Sequence, residues 1–202
     1  MQRKAQLDGI SSAAAVHRDA ASWARWTLRS ETMDLHLRAE ELLGDRACDT
    51  LANYGGMLRS NLAVTEAVLR ATSPFLTKDL RRGIAADALR LREDLADIGV
   101  PVVCEDAHLD VDDPAAAIGA VYVLEGARLG GKVLARQAEA RLGLSAESGA
   151  AYLNGDGRDS GRRWRRFLAA LEERIVASED IVRAVAAARE TFRLVILQYE
   201  KV

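Results

Sequence analysis

One histidine of the chain stands where it could bind a metal or a cofactor. In the segment LRSETMDLHLRAEELLG, one helical stripe would carry His36 together with Arg29, Thr32, Glu40 and Leu43. Neutral imidazole is a common metal ligand, and a hydrogen-bond partner on its second nitrogen fixes its orientation. The stripe therefore allows a ligand site, although a single histidine on such a face is more often packed or solvent-exposed.

Three glycines interrupt another helical segment, YVLEGARLGGKVLARQA. They are Gly126, Gly130 and Gly131, and each costs about 1 kcal/mol relative to alanine inside a helix. Gly119 shares a stripe with the first two, and Gly131 widens this stripe. Either another helix packs closely against the small residues, or a flat, rigid ligand lies against bare backbone. The second interpretation also explains the adjacent pair of glycines, which weakens or kinks a helix.

The composition limits the kind of protein and its partners. The chain has 202 residues, 49% hydrophobic and 29% charged, which suits one globular domain. Its net charge of -2 predicts neither nucleic acid nor an anionic membrane as a partner. Since no apolar run approaches a signal peptide or a membrane span, we expect a cytoplasmic protein. Cys48 and Cys104 lack the CxxC spacing of zinc and redox sites and are expected to be reduced thiols.

Other chemical motifs are absent or incomplete. The sequence has no P-loop, dinucleotide fingerprint, GxSxG or HExxH. Glu105 and His108 have the Glu-x-x-His spacing of di-iron bundles, but no second such pair accompanies them. These patterns favour neither a di-iron site nor a nucleotide-dependent reaction.

The elements that must position the candidate residues are predicted to be helical throughout. Ala, Leu, Arg and Glu dominate, and GVPVVCE is the one strand-like run. We expect an extension or short helix over residues 1–20 and one helical domain over residues 21–202. The predicted helices cover residues 21–43, 46–71, 74–99, 114–143, 162–176 and 178–199. We expect helix caps at Ser73, Asp113 and Ser178, and a weak point in the second helix at Tyr54–Gly56.

The two segments together resemble those of the heme oxygenase family, in particular bacterial members associated with phytochromes. LRSETMDLHLRAE is similar to the family's proximal helix at Leu28, Arg29, Thr32, His36 and Glu40. YVLEGARLGGKVL is similar to its glycine-rich distal helix, and the likeness extends over roughly residues 25 to 200. The resemblance implies an all-α, single-domain bundle that holds heme between these two helices.

The resemblance also implies a role for each candidate residue. His36 would be the iron ligand, with Glu40 as a candidate partner for its second nitrogen, and Gly126, Gly130 and Gly131 would form the distal wall where catalysis occurs. Further contacts to heme would come from Arg29, Thr32, Tyr122, Arg162 and Arg165, the arginines binding propionates. A solvated basic face explains Arg162 and Arg165 equally well, and a core position explains Tyr122 equally well.

The implied activity is heme cleavage with O2 and electrons to biliverdin, carbon monoxide and ferrous iron, with heme as both substrate and cofactor. Electrons would come from a ferredoxin, a flavodoxin or a reductase, and biliverdin would pass to a bacteriophytochrome. Many family members carry an aspartate directly after the first distal glycine, where this chain has Ala127. That difference weakens the expectation of fast turnover and leaves open a non-catalytic heme sensor or carrier, or a heme-free protein of the same fold.

Overall fold

The described part of the chain folds into seven α-helices and three short 3-10 turns. A computed structural model describes residues 2–103 and 107–202, without the side chains of residues 2–22, 45, 158 and 160. The α-helices are α1 (Gln2–Leu43), α2 (Leu51–Thr72), α3 (Lys78–Asp97), α4 (Pro114–Leu142), α5 (Ala151–Asn154), α6 (Ser160–Arg174) and α7 (Ser178–Tyr199). These residues form no strand, so the predicted all-α class is confirmed. Cys104 and Glu105 lie outside the described residues.

Side-chain caps explain the start of α4, the glycine-bearing helix. Asp113 accepts hydrogen bonds from the N–H groups of Ala115 at 2.7 Å and Ala116 at 3.0 Å. Pro114 opens the helix, where its missing N–H costs nothing, and Gly143 ends it in the left-handed conformation with a φ of 70°. The predicted limits of this helix are therefore confirmed.

The predicted start of α3 and the predicted cap of α7 are wrong. Ser73–Phe75 forms a separate 3-10 turn, and α3 begins after Thr77, whose hydroxyl accepts the N–H of Leu80. Ser178 is the first residue of α7 rather than its cap. The carboxylate of Asp180 instead accepts backbone N–H groups of the preceding turn. In both places a side chain further along the sequence caps the helix better than the predicted serine.

α1 and α2 also differ from the prediction. α1 begins at Gln2 rather than at residue 21. α2 continues as a regular helix through Tyr54–Gly56, where a weak point was predicted. A Cβ at Gly55 would lie 2.8 Å from the Val100 side chain, and one at Gly56 equally close to Val202. These two glycines therefore make room for neighbouring side chains instead of bending the helix.

α7 lies between α1 and α4 and packs against both. On the α1 side, Arg189 forms a two-pronged ion pair with Asp34, with both N–O distances at 2.9 Å. On the α4 side, a Cβ at Gly119 would lie only 2.0 Å from the carbonyl oxygen of Ala184. The close-packing interpretation of the small-residue stripe is therefore correct at Gly119.

Two groups of buried side chains hold the helices together. The first joins α1, α2, α3, α4, α6 and α7, and its largest fully buried members include Leu28, Ile84, Phe167 and Leu171. The second joins α2, α3, α5 and the second half of α4, with Tyr54, Met57, Leu91 and Leu95 at its centre. Both ends of α4 are therefore fixed in the core.

Candidate functional site

Two glycines in the middle of α4 face open space. An added Cβ at Gly126 or Gly130 would meet no atom of the described residues within 4 Å. Two apolar side chains beside them, Leu129 and Val133, are 52% and 60% exposed. Packing within the described part of the molecule therefore gives no reason for either glycine. We call this strip of bare backbone, Gly126 and Gly130 with Leu129 and Val133, the glycine face.

Gly131 does not belong to the glycine face. A Cβ there would lie 3.0 Å from the carbonyl oxygen of Leu153, at the end of α5. The prediction that Gly131 shares the open stripe is wrong, because one further residue turns the backbone by about 100° around the helix axis. Gly131 instead permits the close contact between α4 and α5.

His36 lies on α1 with half of its side chain exposed to solvent. Its Nδ1 is 3.6 Å from a carboxylate oxygen of Glu40, one turn further along the helix. The imidazole ring also meets Phe192 of α7 edge-on, with the ring centroids 5.8 Å apart. Glu40 and Phe192 orient the ring. Because Nε2 forms no hydrogen bond to any described residue, this nitrogen stays available to a ligand.

α4 and α7 run in the same direction along their contact. Gly119 meets Ala184 near the start of the contact. Further on, Lys132 and Tyr199 line one cavity. Residues of rising number on one helix therefore face residues of rising number on the other.

α7 is the helix against which both candidate features are held. The His36 imidazole of α1 packs against Phe192 of α7. Gly119, on the same helical stripe as Gly126 and Gly130, packs against Ala184 of α7. We call the space that α1 and α4 border beside α7 the α1–α4 gap.

Two arginines of α1 act on Tyr122 of α4 through their charges. Arg25 stacks over Trp164 of α6, with its guanidinium carbon 5.4 Å from the ring centroid. Burial raises the pKa of Tyr122, one turn before Gly126, and the charges of Arg29 and Arg25 partly offset this rise. Both cations therefore lie near Tyr122. Sequence analysis missed Arg25, although its position one turn before Arg29 on the same face could have revealed it.

The structure does not bring Thr32 to the gap. Thr32 is 2% exposed, and its hydroxyl donates to the carbonyl of Leu28 at 2.7 Å. Its hydroxyl is used inside the bundle, and the contact to a cofactor that was predicted for Thr32 stays a prediction. Arg162 is exposed and pairs with Asp159 at 3.3 Å. Arg165 forms no ion pair with a described residue, and the roles predicted for these two arginines stay predictions.

A small cavity lies beside Ala127, on the flank of α4 next to the glycine face. Its volume is about 60 Å³, enough for several water molecules. Polar groups line it, among them the hydroxyls of Tyr152 and Tyr199, and Tyr199 donates to Asn61 at 2.9 Å. Burial raises the pKa of Tyr199 to about 12, so its hydroxyl stays protonated at neutral pH. No carboxylate belongs to the described lining of this cavity.

Sequence analysis missed a group of buried charges on another side of α4. We call it the buried charge cluster, and its members are Asp87, Arg90, Glu125, Arg128, Asp156 and Arg163. Glu125 and Arg128 are its two members on α4. Their spacing of three residues on one helix face was the available signal.

The remaining candidates for metal chemistry do not assemble into a site of their own. Cys48 is a buried free thiol. Across the described ranges, no three side chains of His, Cys, Asp or Glu are grouped so that they could hold a metal ion.

A comparison with protein-family models connects this geometry to known proteins. Residues 60–197 match the model of the heme oxygenase family, "Heme oxygenase". The chain belongs to the heme oxygenase family. The matched residues include the glycine face of α4 and end before the last residues of α7, and they do not include His36 on α1.

A curated relative and two solved structures agree with this assignment. A protein named heme oxygenase from Xanthomonas campestris pv. campestris (strain 8004) is 38% identical over 104 residues, which are 50% of this chain and 60% of the relative. The alignment thus spans less than two thirds of that relative. The NO- and CO-bound heme oxygenase from Neisseria meningitidis superposes with a TM-score of 0.74, at 23% identity over 88% of this chain and 90% of that one. The heme oxygenase from Leptospira interrogans superposes with a TM-score of 0.70, at 18% identity over 89% of this chain and 99% of that one.

These findings confirm the heme oxygenase fold as an all-α bundle. At 23% and 18% identity, the two solved structures show the fold of this chain and not the roles of its residues. None of the described helices has the length and apolar character needed to cross a membrane.

Proposed function

We propose that this heme oxygenase family member binds heme in the α1–α4 gap and cleaves it with O2 and electrons to biliverdin, carbon monoxide and ferrous iron. One observation carries the proposal: Gly126 and Gly130 present bare backbone to open space on α4, which packs against the same helix, α7, as the His36 imidazole. Glycines that no neighbour requires cost helix stability, so a ligand is the physical reason that remains for them.

The residues around the gap fit heme in shape and chemistry. A flat, largely apolar macrocycle suits the glycine face and its exposed neighbours Leu129 and Val133. An imidazole nitrogen with no partner among the described residues suits the iron. Heme supplies the iron that activates O2 and is itself the molecule that is cleaved. Arg29 and Arg25 offer cations near Tyr122, and guanidinium groups bind carboxylates such as the propionates in two-pronged fashion.

Each part of this chain then has a separate task. The Glu40 carboxylate, 3.6 Å from Nδ1 of His36, favours a proton on that nitrogen, so that the opposite nitrogen keeps its electron pair for a ligand. The glycine face lets backbone approach the ligand where any side chain would hold it away. Leu129 and Val133 become covered when the gap is filled, which removes apolar surface from water and favours binding.

Proton supply is the step for which this chain lacks a carboxylate at the expected place. Ala127 borders the cavity whose lining includes the Tyr199 hydroxyl and the Asn61 amide. Water held there can carry protons to the neighbouring glycine face, since bridging water hydrogen bonds nearly as well as a direct partner. Such a route without a carboxylate is expected to support slow turnover.

Ala127→Asp is expected to speed heme cleavage by about tenfold. The substitution adds a carboxylate beside the cavity. A positioned proton donor typically raises a reaction rate by about 10²-fold or more, and water in the cavity already supplies part of this gain. Single-turnover loss of the heme absorption under oxygen, with a fixed electron donor, measures this rate. Ala127→Asn has the same shape without the titratable proton and should leave the rate near that of the wild type. An equal gain in both variants would contradict proton delivery as the cause.

The test of the activity itself uses purified protein loaded with heme. Reduced ferredoxin or a chemical reductant is supplied under oxygen, and the product is identified as biliverdin by its spectrum and as CO by trapping. The alternative function, a heme sensor or carrier, is favoured by Ala127 and predicts that heme remains intact under these conditions. Electron supply by a ferredoxin, flavodoxin or reductase, transfer of biliverdin to a bacteriophytochrome and a cytoplasmic location belong to the proposal as well.

A further inference from the structure

We infer that the buried charge cluster holds α4 in the rotation that turns the glycine face toward the α1–α4 gap, with Asp87 of α3 as the central positioning residue. The purpose that this inference gives to the glycine face, which is to meet heme, rests on the proposed function. The way in which the cluster holds the helix is a property of the protein without ligand.

The cluster attaches to α4 at the turn that carries the first open glycine. Glu125 and Arg128 enclose Gly126 in sequence, yet an α-helix turns by about 100° per residue. Their side chains therefore leave the helix about 100° and 160° away from Gly126. Fixing these two side chains fixes the direction of the glycine face on the far side of the same turn.

Asp87 joins three helices through its two carboxylate oxygens. It is 4% exposed and accepts hydrogen bonds from Arg163 of α6 at 2.7 Å, from Arg90 of its own helix at 3.0 Å, and from Arg128 of α4. Hydrogen bonds between guanidinium and carboxylate groups are directional. The position of α4 is thereby set relative to both α3 and α6.

Glu125 makes the second connection between α4 and α6. Its carboxylate is 3% exposed and receives the Nε of Arg163 at 2.9 Å and the Nη2 at 2.6 Å. Burial raises the pKa of Glu125, and the adjacent Arg163 opposes this rise. A buried carboxylate with such a partner cannot rotate away without leaving a charge unpaired, which is strongly unfavourable.

Asp156, in the loop between α5 and α6, closes the cluster. Its two oxygens accept Arg128 and Arg90, each at 2.8 Å. The three acids and three arginines compensate one another in charge. Two further glycines make room for the guanidinium groups: a Cβ at Gly83 would lie 3.1 Å from Arg163, and one at Gly155 would lie 3.0 Å from Arg128.

A cluster of charges suits this task better than apolar packing does. Buried ion pairs add little net stability, because desolvation offsets their attraction, but they specify one geometry. Gly126, Gly130 and Gly131 each lower the helix propensity of α4 by about 1 kcal/mol. The helix is therefore intrinsically weakest at the turns that must be presented in one orientation, and the cluster contacts it there.

The test compares two aspartates on the same helix. Asp87→Asn removes the charge that contacts Arg128. Asp94→Asn removes an equally buried charge seven residues further along, whose carboxylate accepts the N–H groups of Ala151 and Tyr152 on α5. In the heme-free protein, amide hydrogen exchange over residues 126–134 is expected to rise about tenfold in Asp87→Asn and to stay unchanged in Asp94→Asn. The heme dissociation constant should rise about tenfold in the first variant only.

The outcomes separate this inference from the proposed function. Unchanged exchange over residues 126–134 in Asp87→Asn, or an equal rise in both variants, would overturn the positioning role. If Asp87→Asn does not fold, Glu125→Gln provides the same measurement, because it keeps the shape of the side chain and removes the charge that faces Arg163. If exchange rises in Asp87→Asn as expected but the wild-type protein does not bind heme, the proposed function is overturned and the positioning role stands.

Discussion

Replacing His36 with alanine is expected to weaken heme binding by about 100-fold and to change the absorption spectrum of the heme that remains bound. Removing a residue that hydrogen bonds to a metal ligand lowers metal affinity by roughly 10- to 100-fold. Removing the ligand itself should lower the affinity by at least the upper value. Heme titration followed by the Soret band measures both effects. Because the imidazole is half exposed, the free energy of unfolding without heme should change by no more than about 0.5 kcal/mol.

His108→Ala is the matched control. His108 is also exposed and lies 2.9 Å from a carboxylate, that of Asp110, but it belongs to the connector before α4. Its removal should leave the spectrum and the affinity unchanged. Identical heme spectra for wild type and His36→Ala would exclude His36 as the iron ligand. The α1 side of the proposed site would then have to be abandoned.

Substitutions at Gly126 are expected to separate stability from ligand binding. Gly126→Ala should stabilise the heme-free protein by about 0.5–1 kcal/mol, because alanine favours a helix and its Cβ meets nothing within 4 Å among the described residues. Gly126→Leu should fold equally well, yet it should weaken heme binding by about 10- to 100-fold. That loss corresponds to the 1–3 kcal/mol that overfilling a packed space typically costs. Thermal unfolding without heme and heme titration provide the two measurements.

Gly119→Ala provides the contrast on the same helical stripe. Its Cβ would overlap the backbone of Ala184, so α4 and α7 would have to separate, at a cost of about 3 kcal/mol or more. The same chemical change is therefore expected to stabilise the protein at one glycine and to destabilise it at another. A loss of stability at Gly126 comparable to that at Gly119 would show that the glycine face packs against protein rather than against a ligand.

Several features of the site could be predicted from sequence because they depend on local geometry. The relation between His36 and Glu40 follows from the four-residue spacing, since one helical turn brings the two side chains together. The limits of α4 follow from Asp113, Pro114 and Gly143, whose backbone preferences act within a few residues. Such signals do not require knowledge of any distant part of the chain.

Predictions that needed the neighbouring helices were less successful. Gly119, Gly126 and Gly130 share one stripe, yet the first packs against α7 while the others face open space. Nothing in their spacing distinguishes these cases, because the difference lies in how the partner helix continues. The burial of Gly131 and Thr32 was not predictable for the same reason, since α5 covers the first and the bundle interior the second.

The buried charge cluster shows this limit most clearly. Its members come from α3, α4, the loop after α5, and α6, with up to 76 residues between partners such as Asp87 and Arg163. In sequence each looks like an ordinary surface charge, because burial is decided by which helices pack together. The one signal in the sequence was the three-residue spacing of Glu125 and Arg128, which indicates that both lie on one face of α4.

By itself the sequence determined the all-α class, the limits of α4 and the two segments whose likeness points to the heme oxygenase family. Helix propensity, capping and stripe periodicity operate within one or two turns, so the order of residues is sufficient for them. The tertiary structure alone decided which glycines are open, which arginines approach Tyr122 and which charges are buried. Those properties depend on atoms that are far apart in the chain and become neighbours only when the helices pack.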